Sequence, residues 1–129
     1  MPETGSAEGQ GGLIRMDNMK NMWDFPVMEG VSFQKANRVH PLMQARVEKL
    51  IYHFYQDENI RKMVLFGSSL DFRCNSYSDI DLYLEKKEKE KKTGPLPELD
   101  CDVDIIANLS STSPLYREIE ETGLVLFER

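Results

Sequence analysis

Lys62-Met63-Val64-Leu65-Phe66-Gly67-Ser68, followed by Ser78-Asp79-Ile80-Asp81-Leu82-Tyr83-Leu84, are the two stretches on which the reading of the fold turns. The first is an unbroken apolar run that ends in Gly-Ser, the pattern of a buried strand leaving its sheet at a glycine. The second alternates: Ile80, Leu82 and Leu84 fall on one face of a strand, and Asp79, Asp81 and Tyr83 on the other. Two carboxylates then point the same way. Strand interiors disfavour aspartate, so acids that interrupt an otherwise apolar strand are the local rule-breaking expected at a functional site.

Working outward, residues His40 to Gln56 predict a helix, with Pro41 in its first turn and Met43, Val47, Leu50, Ile51 and Phe54 along one apolar stripe. After the acidic strand, Glu85 to Lys92 mixes both signs of charge and Thr93-Gly94-Pro95-Leu96-Pro97 is rich in turn formers. This reads as a solvated loop, or alternatively as a patch that steers an anionic substrate. A third strand is expected over Cys101 to Ala107, a short helix from Ser113-Pro114 to Glu121 stopped by Gly123, and a closing strand over Leu124 to Phe127. The expected fold is α/β (α+β): a small mixed β-sheet flanked by helices, occupying residues 40–129. Residues 1–39 read as a flexible leader. Its first twelve residues hold almost nothing apolar, and Met16, Met19, Met22 and Trp23 recur at helical spacing up to Pro26. That short amphipathic piece suits a flap on the main core or a Met-rich docking patch.

With 129 residues the chain holds one core, and its formal net charge of −6 is the wrong sign for gripping nucleic acid by its phosphates. Direct DNA binding is therefore not expected. The longest apolar runs fall far short of the roughly 20 residues of a membrane helix, and the start lacks the basic and apolar regions of a secretory signal. Cys74 and Cys101 are too few for a disulfide framework, so the expected setting is cytoplasmic with free thiols. His40 and His53 have no partner at metal-ligand spacing and read as surface or capping residues.

If the second and third strands are neighbours, about 4.8 Å apart, Asp104 joins Asp79 and Asp81 in one acidic pocket. Asp100 and Asp102 share its face by alternation; Asp104 is preferred for its place between Val103 and Ile105-Ile106. Three crowded carboxylates repel one another unless cations sit among them. Hard oxygen donors suit Mg²⁺, and a pair of such ions about 3.5–4 Å apart serves in-line phosphoryl displacement. Gly67-Ser68-Ser69, where the first strand turns into a short helix, offers backbone N–H groups and hydroxyls as a cradle for a polyphosphate.

Together, Leu65-Phe66-Gly67-Ser68, Ser78-Asp79-Ile80-Asp81-Leu82 and Val103-Asp104-Ile105-Ile106 resemble the minimal nucleotidyltransferase family, small relatives of the polymerase-beta-type and antibiotic nucleotidyltransferases. The twelve-residue offset from Gly67 to Asp79 matches that family's motif, and Tyr116 to Phe127 looks like its final helix, glycine and strand. The resemblance runs from about Pro41 to Arg129. It implies a nucleotidyltransferase fold and transfer of AMP from ATP to an acceptor hydroxyl with release of pyrophosphate. Asp79 and Asp81 would bind two Mg²⁺ ions, Asp104 would hold the catalytic one and help deprotonate the acceptor, and Gly67, Ser68 and Ser69 would grip the triphosphate. Where the family carries Ala-Arg-Gly this chain has Leu70-Asp71-Phe72, leaving Arg73, two positions further on, as the arginine within reach of a phosphate. No helical domain follows the last strand, so a partner is expected to supply the acceptor surface. In this family that partner is usually a HEPN-domain protein, the pair acting as antitoxin and toxin. Apolar residues around Trp23 and Phe25 are candidates for its docking surface. Two other readings stay open: a non-catalytic module that neutralises a partner by occlusion, and a small-molecule (antibiotic) nucleotidyltransferase.

Overall fold

In the computed structural model, which describes residues 23–129, alternation of side chains builds a single four-stranded sheet between two helices. Helix α1 spans Pro41–Tyr55 and is followed by strand β1, Ile60–Phe66. A 3₁₀ turn, Gly67–Leu70, and a loop lead to strand β2, Ile80–Lys86, and then come strand β3, Val103–Ala107, helix α2, Pro114–Thr122, and strand β4, Leu124–Glu128. The strand order is β3-β2-β1-β4, with β1 antiparallel to β2 and β4, and β2 parallel to β3. The sheet is therefore mixed, as the sequence leads one to expect.

Each face of the sheet has its own core. Ile80, Leu82 and Leu84 of β2 pack with Met63 and Leu65 of β1 and with the α1 stripe Met43, Val47, Leu50 and Phe54, all essentially fully buried. Burying one such side chain contributes about 1.5–3 kcal/mol, which makes this the main source of stability. On the opposite face Val64 and Tyr83 pack against Ile119 of α2. Helix α2 starts at a Ser113 cap whose Oγ accepts from the Tyr116 N–H, and Pro114 occupies the first turn. It ends at Gly123, where a Cβ would meet Val64 Cγ1 and the Ile119 carbonyl at 2.6 Å, so the chain enters β4 directly beneath the helix.

Several element boundaries shift by a residue, and three strand ends depart further from expectation. Strand β1 begins two residues earlier than expected, at Ile60, and β2 continues through Glu85-Lys86, which had been assigned to the charged loop. Pairing of Lys62 with Glu85 and of Ile60 with Lys86 carries these polar residues into the ladder, and Arg61 is ion-paired to Glu85 across it. Cross-strand pairing thus overrides a charge pattern that locally reads as loop. Strand β3 in turn starts at Val103 rather than Cys101.

The Met16, Met19 and Met22 part of the expected amphipathic piece lies outside the described residues. From Trp23 on, the chain is tied to the body of the protein. Phe25 N–H donates to the Asn37 carbonyl at 2.7 Å, and Ala36 and Val39 are buried. The anchor is Gln44 of α1, a fully buried polar side chain. Its Oε1 accepts from Met28 N–H at 2.8 Å, while its Nε2 donates to the carbonyls of Pro26 at 2.8 Å and Val39 at 3.0 Å. Gln44→Ala strips three backbone groups of their partner, and is expected to lower the unfolding free energy in urea by about 2 kcal/mol. Among the described residues no helix is long and apolar enough to cross a membrane.

Candidate functional site

The register of the sheet brings the acids together. Asp81, second residue of β2, pairs with Phe66 at the end of β1 on one side and with Asp104 of β3 on the other. Paired residues share a face, so the two carboxylates stand side by side on the face that α2 covers further along through Tyr83. Asp79 lies just ahead of β2, one alternation away from Asp81, and is exposed. Asp81 itself is half-buried. Burial, then the charge of Asp104, then that of Asp79, all push its carboxyl above the usual range. The other acids near β3 are placed differently: Asp100 is taken up by Arg46, Oδ1 to Nε at 2.7 Å, and the Asp102 carbonyl accepts from Ile80 N–H at 3.0 Å.

Gly67 closes the same corner. Its φ is +86°, and a Cβ there would collide with Oδ2 of Asp81 and stand 3.3 Å from its Cγ. Glycine is required twice over, by the left-handed backbone and by the carboxylate lying against it. Ser68 and Ser69 follow in the 3₁₀ turn. The Ser69 carbonyl accepts from the His40 N–H at 2.8 Å, which ties the turn to the start of α1. Its Oγ is buried and, among the described residues, has no hydrogen-bond partner.

Neither a comparison with protein-family models nor one with curated proteins finds a match for this chain.

Arg73 is exposed, and its guanidinium is held by Asp71: Nη2 to Oδ2 is 2.7 Å and Nε to Oδ1 is 3.3 Å. These hydrogen bonds keep Asp71 below the usual carboxylate range. In the sequence Asp71 stands where the resembled family has its arginine, and its i, i+2 spacing from Arg73 within a loop is the signal for this pairing. Arg73 also stands 5.9 Å from the centroid of Phe72, whose ring lies 4.8 Å from Trp23. His40 caps α1, its Nδ1 accepting from Leu42 N–H at 3.1 Å. Cys74 is a buried free thiol that burial pushes up, out of the nucleophilic range.

Asp104 and Asp79 both repel the Asp81 carboxylate, so the three acids form an oxygen set crowded by like charge. Among the described residues no three of His, Cys, Asp and Glu are drawn tightly enough to enclose an ion on their own. Mg²⁺ does not ask for such a cage, since it usually takes one or two carboxylates and completes its shell with water and phosphate oxygens. The donor set fits that use.

The raised Asp81 carboxyl gives the fold a pH dependence of definite sign. Because the folded protein holds this proton more tightly than the unfolded chain does, the stability it contributes is complete below the unfolded carboxylate pKa, about 3.9, and is lost as pH rises through the folded one. Thermal midpoints of the parent and Asp81→Asn should therefore converge near pH 4 and separate towards pH 7, the parent being the less stable. Parallel profiles across that window would show that Asp81 does not repel its neighbours.

Proposed function

We propose that this chain is a minimal nucleotidyltransferase-like enzyme that moves AMP from ATP to an acceptor hydroxyl. The observation that carries the proposal is the Asp81 carboxylate, paired with Asp104 across the ladder and resting on a glycine that no larger residue could replace. Two Mg²⁺ ions would be held by Asp79, Asp81 and Asp104. Bound there, they would neutralise charge on the transferring phosphate and on the departing pyrophosphate.

The chain's own residues account for the remainder. Gly67 lets the backbone approach the triphosphate closely, and Ser68 offers its N–H and hydroxyl at the start of the turn, whereas Ser69, expected from the sequence to grip phosphate too, is fully buried and ties the turn to α1 through its carbonyl. The acceptor oxygen bonds to the α-phosphorus as the bond from that phosphorus to the bridging oxygen breaks, and pyrophosphate leaves. The hydroxyl proton passes to Asp104, which like Asp79 is exposed. Asp81, half-buried and backed by Gly67, is the better anchored of the pair. In this reading the acceptor belongs to a protein partner of the HEPN type, in a cytoplasmic toxin–antitoxin pair.

One observation favours a non-catalytic module instead: Arg73, the arginine expected to reach phosphate, is engaged by Asp71. Incubation with α-labelled ATP, Mg²⁺ and the product of the adjacent gene separates the readings. Label on that protein, lost with Asp81→Asn, is the expected result. Inhibition of the partner without label would favour occlusion, and label on a small hydroxylated compound alone would favour the antibiotic-type reading.

A further inference from the structure

Among the described residues β3 is an edge strand, and its backbone pattern can be read from two hydrogen bonds. Ile80 N–H donates to the Asp102 carbonyl and Asn108 N–H to the Leu84 carbonyl, both at 3.0 Å. The even-numbered residues of β3 thus turn their backbone groups towards β2, and by the two-residue period Val103, Ile105 and Ala107 turn theirs outward. Beside the start of this edge lies a groove of about 510 Å³, lined by Leu96 to Leu99 and by Cys101 to Asp104. Leu99, Val103 and Ile105 belong to the α1-side core, whereas Asp104 shares its face with Asp81. Among the described residues, Glu98, Asp102 and Asp104 are in no ion pair, while Asp100 is paired with Arg46.

We propose that the open edge of β3 takes an extended segment of a partner protein as a fifth strand, one that alternates apolar residues with Lys or Arg around a Ser, Thr or Tyr. Strand addition satisfies the outward N–H and C=O groups of Val103, Ile105 and Ala107, and gives affinity through the main chain. Apolar side chains of the segment fall on the Leu96 and Leu99 side, and basic ones meet Glu98 and Asp102. The residue opposite Asp104 projects on the same face as Asp104 and Asp81, about 4.8 Å from β3, so its hydroxyl arrives beside the carboxylates. Its use as acceptor rests on the nucleotidyl-transfer reading: its oxygen bonds to the α-phosphorus of ATP, pyrophosphate leaves and the proton goes to Asp104. Docking itself does not depend on that reading.

The test is fluorescence anisotropy at low salt with the labelled heptapeptide Lys-Val-Lys-Val-Tyr-Val-Lys. Val103→Pro removes an outward N–H at the first position of an edge strand, where proline is tolerated, and leaves the ladder to β2 intact. Binding to the parent, weakened at least tenfold by Val103→Pro, is the expected result. Should Val103→Pro fail to fold by circular dichroism, copies of the peptide N-methylated at alternate residues, in both phases, decide, and one phase should lose binding. Equal binding by Val103→Pro, by a folded protein, or by both methylated phases overturns the proposal. So does a dimer of the chain that Val103→Pro dissolves while the peptide is not bound. Edge-dependent binding without AMP transfer supports the docking and sinks the transfer reading; AMP transfer to the peptide that Val103→Pro leaves untouched does the reverse.

Discussion

Asp81→Asn is expected to lower AMP transfer by about 10³-fold or more while raising the stability of the fold. The two effects have one cause. Asp81 is half-buried, with Asp104 opposite it in the register and Asp79 close by, and its charge is opposed by burial and by both neighbours. An amide of nearly the same shape keeps the contact with Gly67 and removes the repulsion. The thermal midpoint should therefore rise in the variant. The lost carboxylate takes with it the charge that would hold Mg²⁺ against the triphosphate, and a deficit of about 4 kcal/mol in the transition state is a thousandfold in rate. Millimolar MgCl₂ should accordingly raise the midpoint of the parent more than that of the variant. Calorimetry with and without Mg²⁺, beside a labelled-ATP assay, checks both halves. A variant that is less stable, or that turns over normally, would remove Asp81 from the site.

Gly67→Ala carries the second large effect. A Cβ at this position collides with the Asp81 carboxylate, and the backbone φ of +86° is itself strained for any residue but glycine. The strain alone costs about 1–2 kcal/mol. Relief of the collision requires the carboxylate or the strand end to move, and a displacement of about 1 Å at a reacting centre can cost 10²-fold in rate. Chemical denaturation should thus show a loss of about 2 kcal/mol, and the transfer assay a fall of about a hundredfold. Ser68→Ala is the contrasting control, since it leaves backbone and Cβ in place and should keep nearly full stability. If Gly67→Ala matched the parent in both measurements, the close approach of Gly67 to Asp81 would be wrong.

Much of the fold was legible because its elements announce themselves over short stretches. The α1 stripe, the apolar run of β1 and the alternation of β2 each follow from a local period, and each is where periodicity puts it within about two residues. What local pattern missed was polar. Glu85 and Lys86 belong to β2 because β1 pairs with them, and Gln44 is buried because the chain from Pro26 to Val39 folds back to meet it. Arg73 was readable as a free cation, but its loop brings Asp71 under the guanidinium. In every case the partner that decides the residue's role comes from backbone geometry or from distant parts of the chain.

From the sequence alone came the identity of the acids, the two faces of the β2 strand and the glycine between β1 and its turn, since these depend only on residue type and on periods of two and 3.6. Only the tertiary structure decided that β2 lies parallel to β3 with Asp81 opposite Asp104, that the Asp81 carboxylate fills the space where a Gly67 side chain would stand, and that among the described residues β3 forms the edge of the sheet. Strand order and register arise from contacts between segments far apart in the chain, and a slip of one residue would send every one of these side chains to the other face.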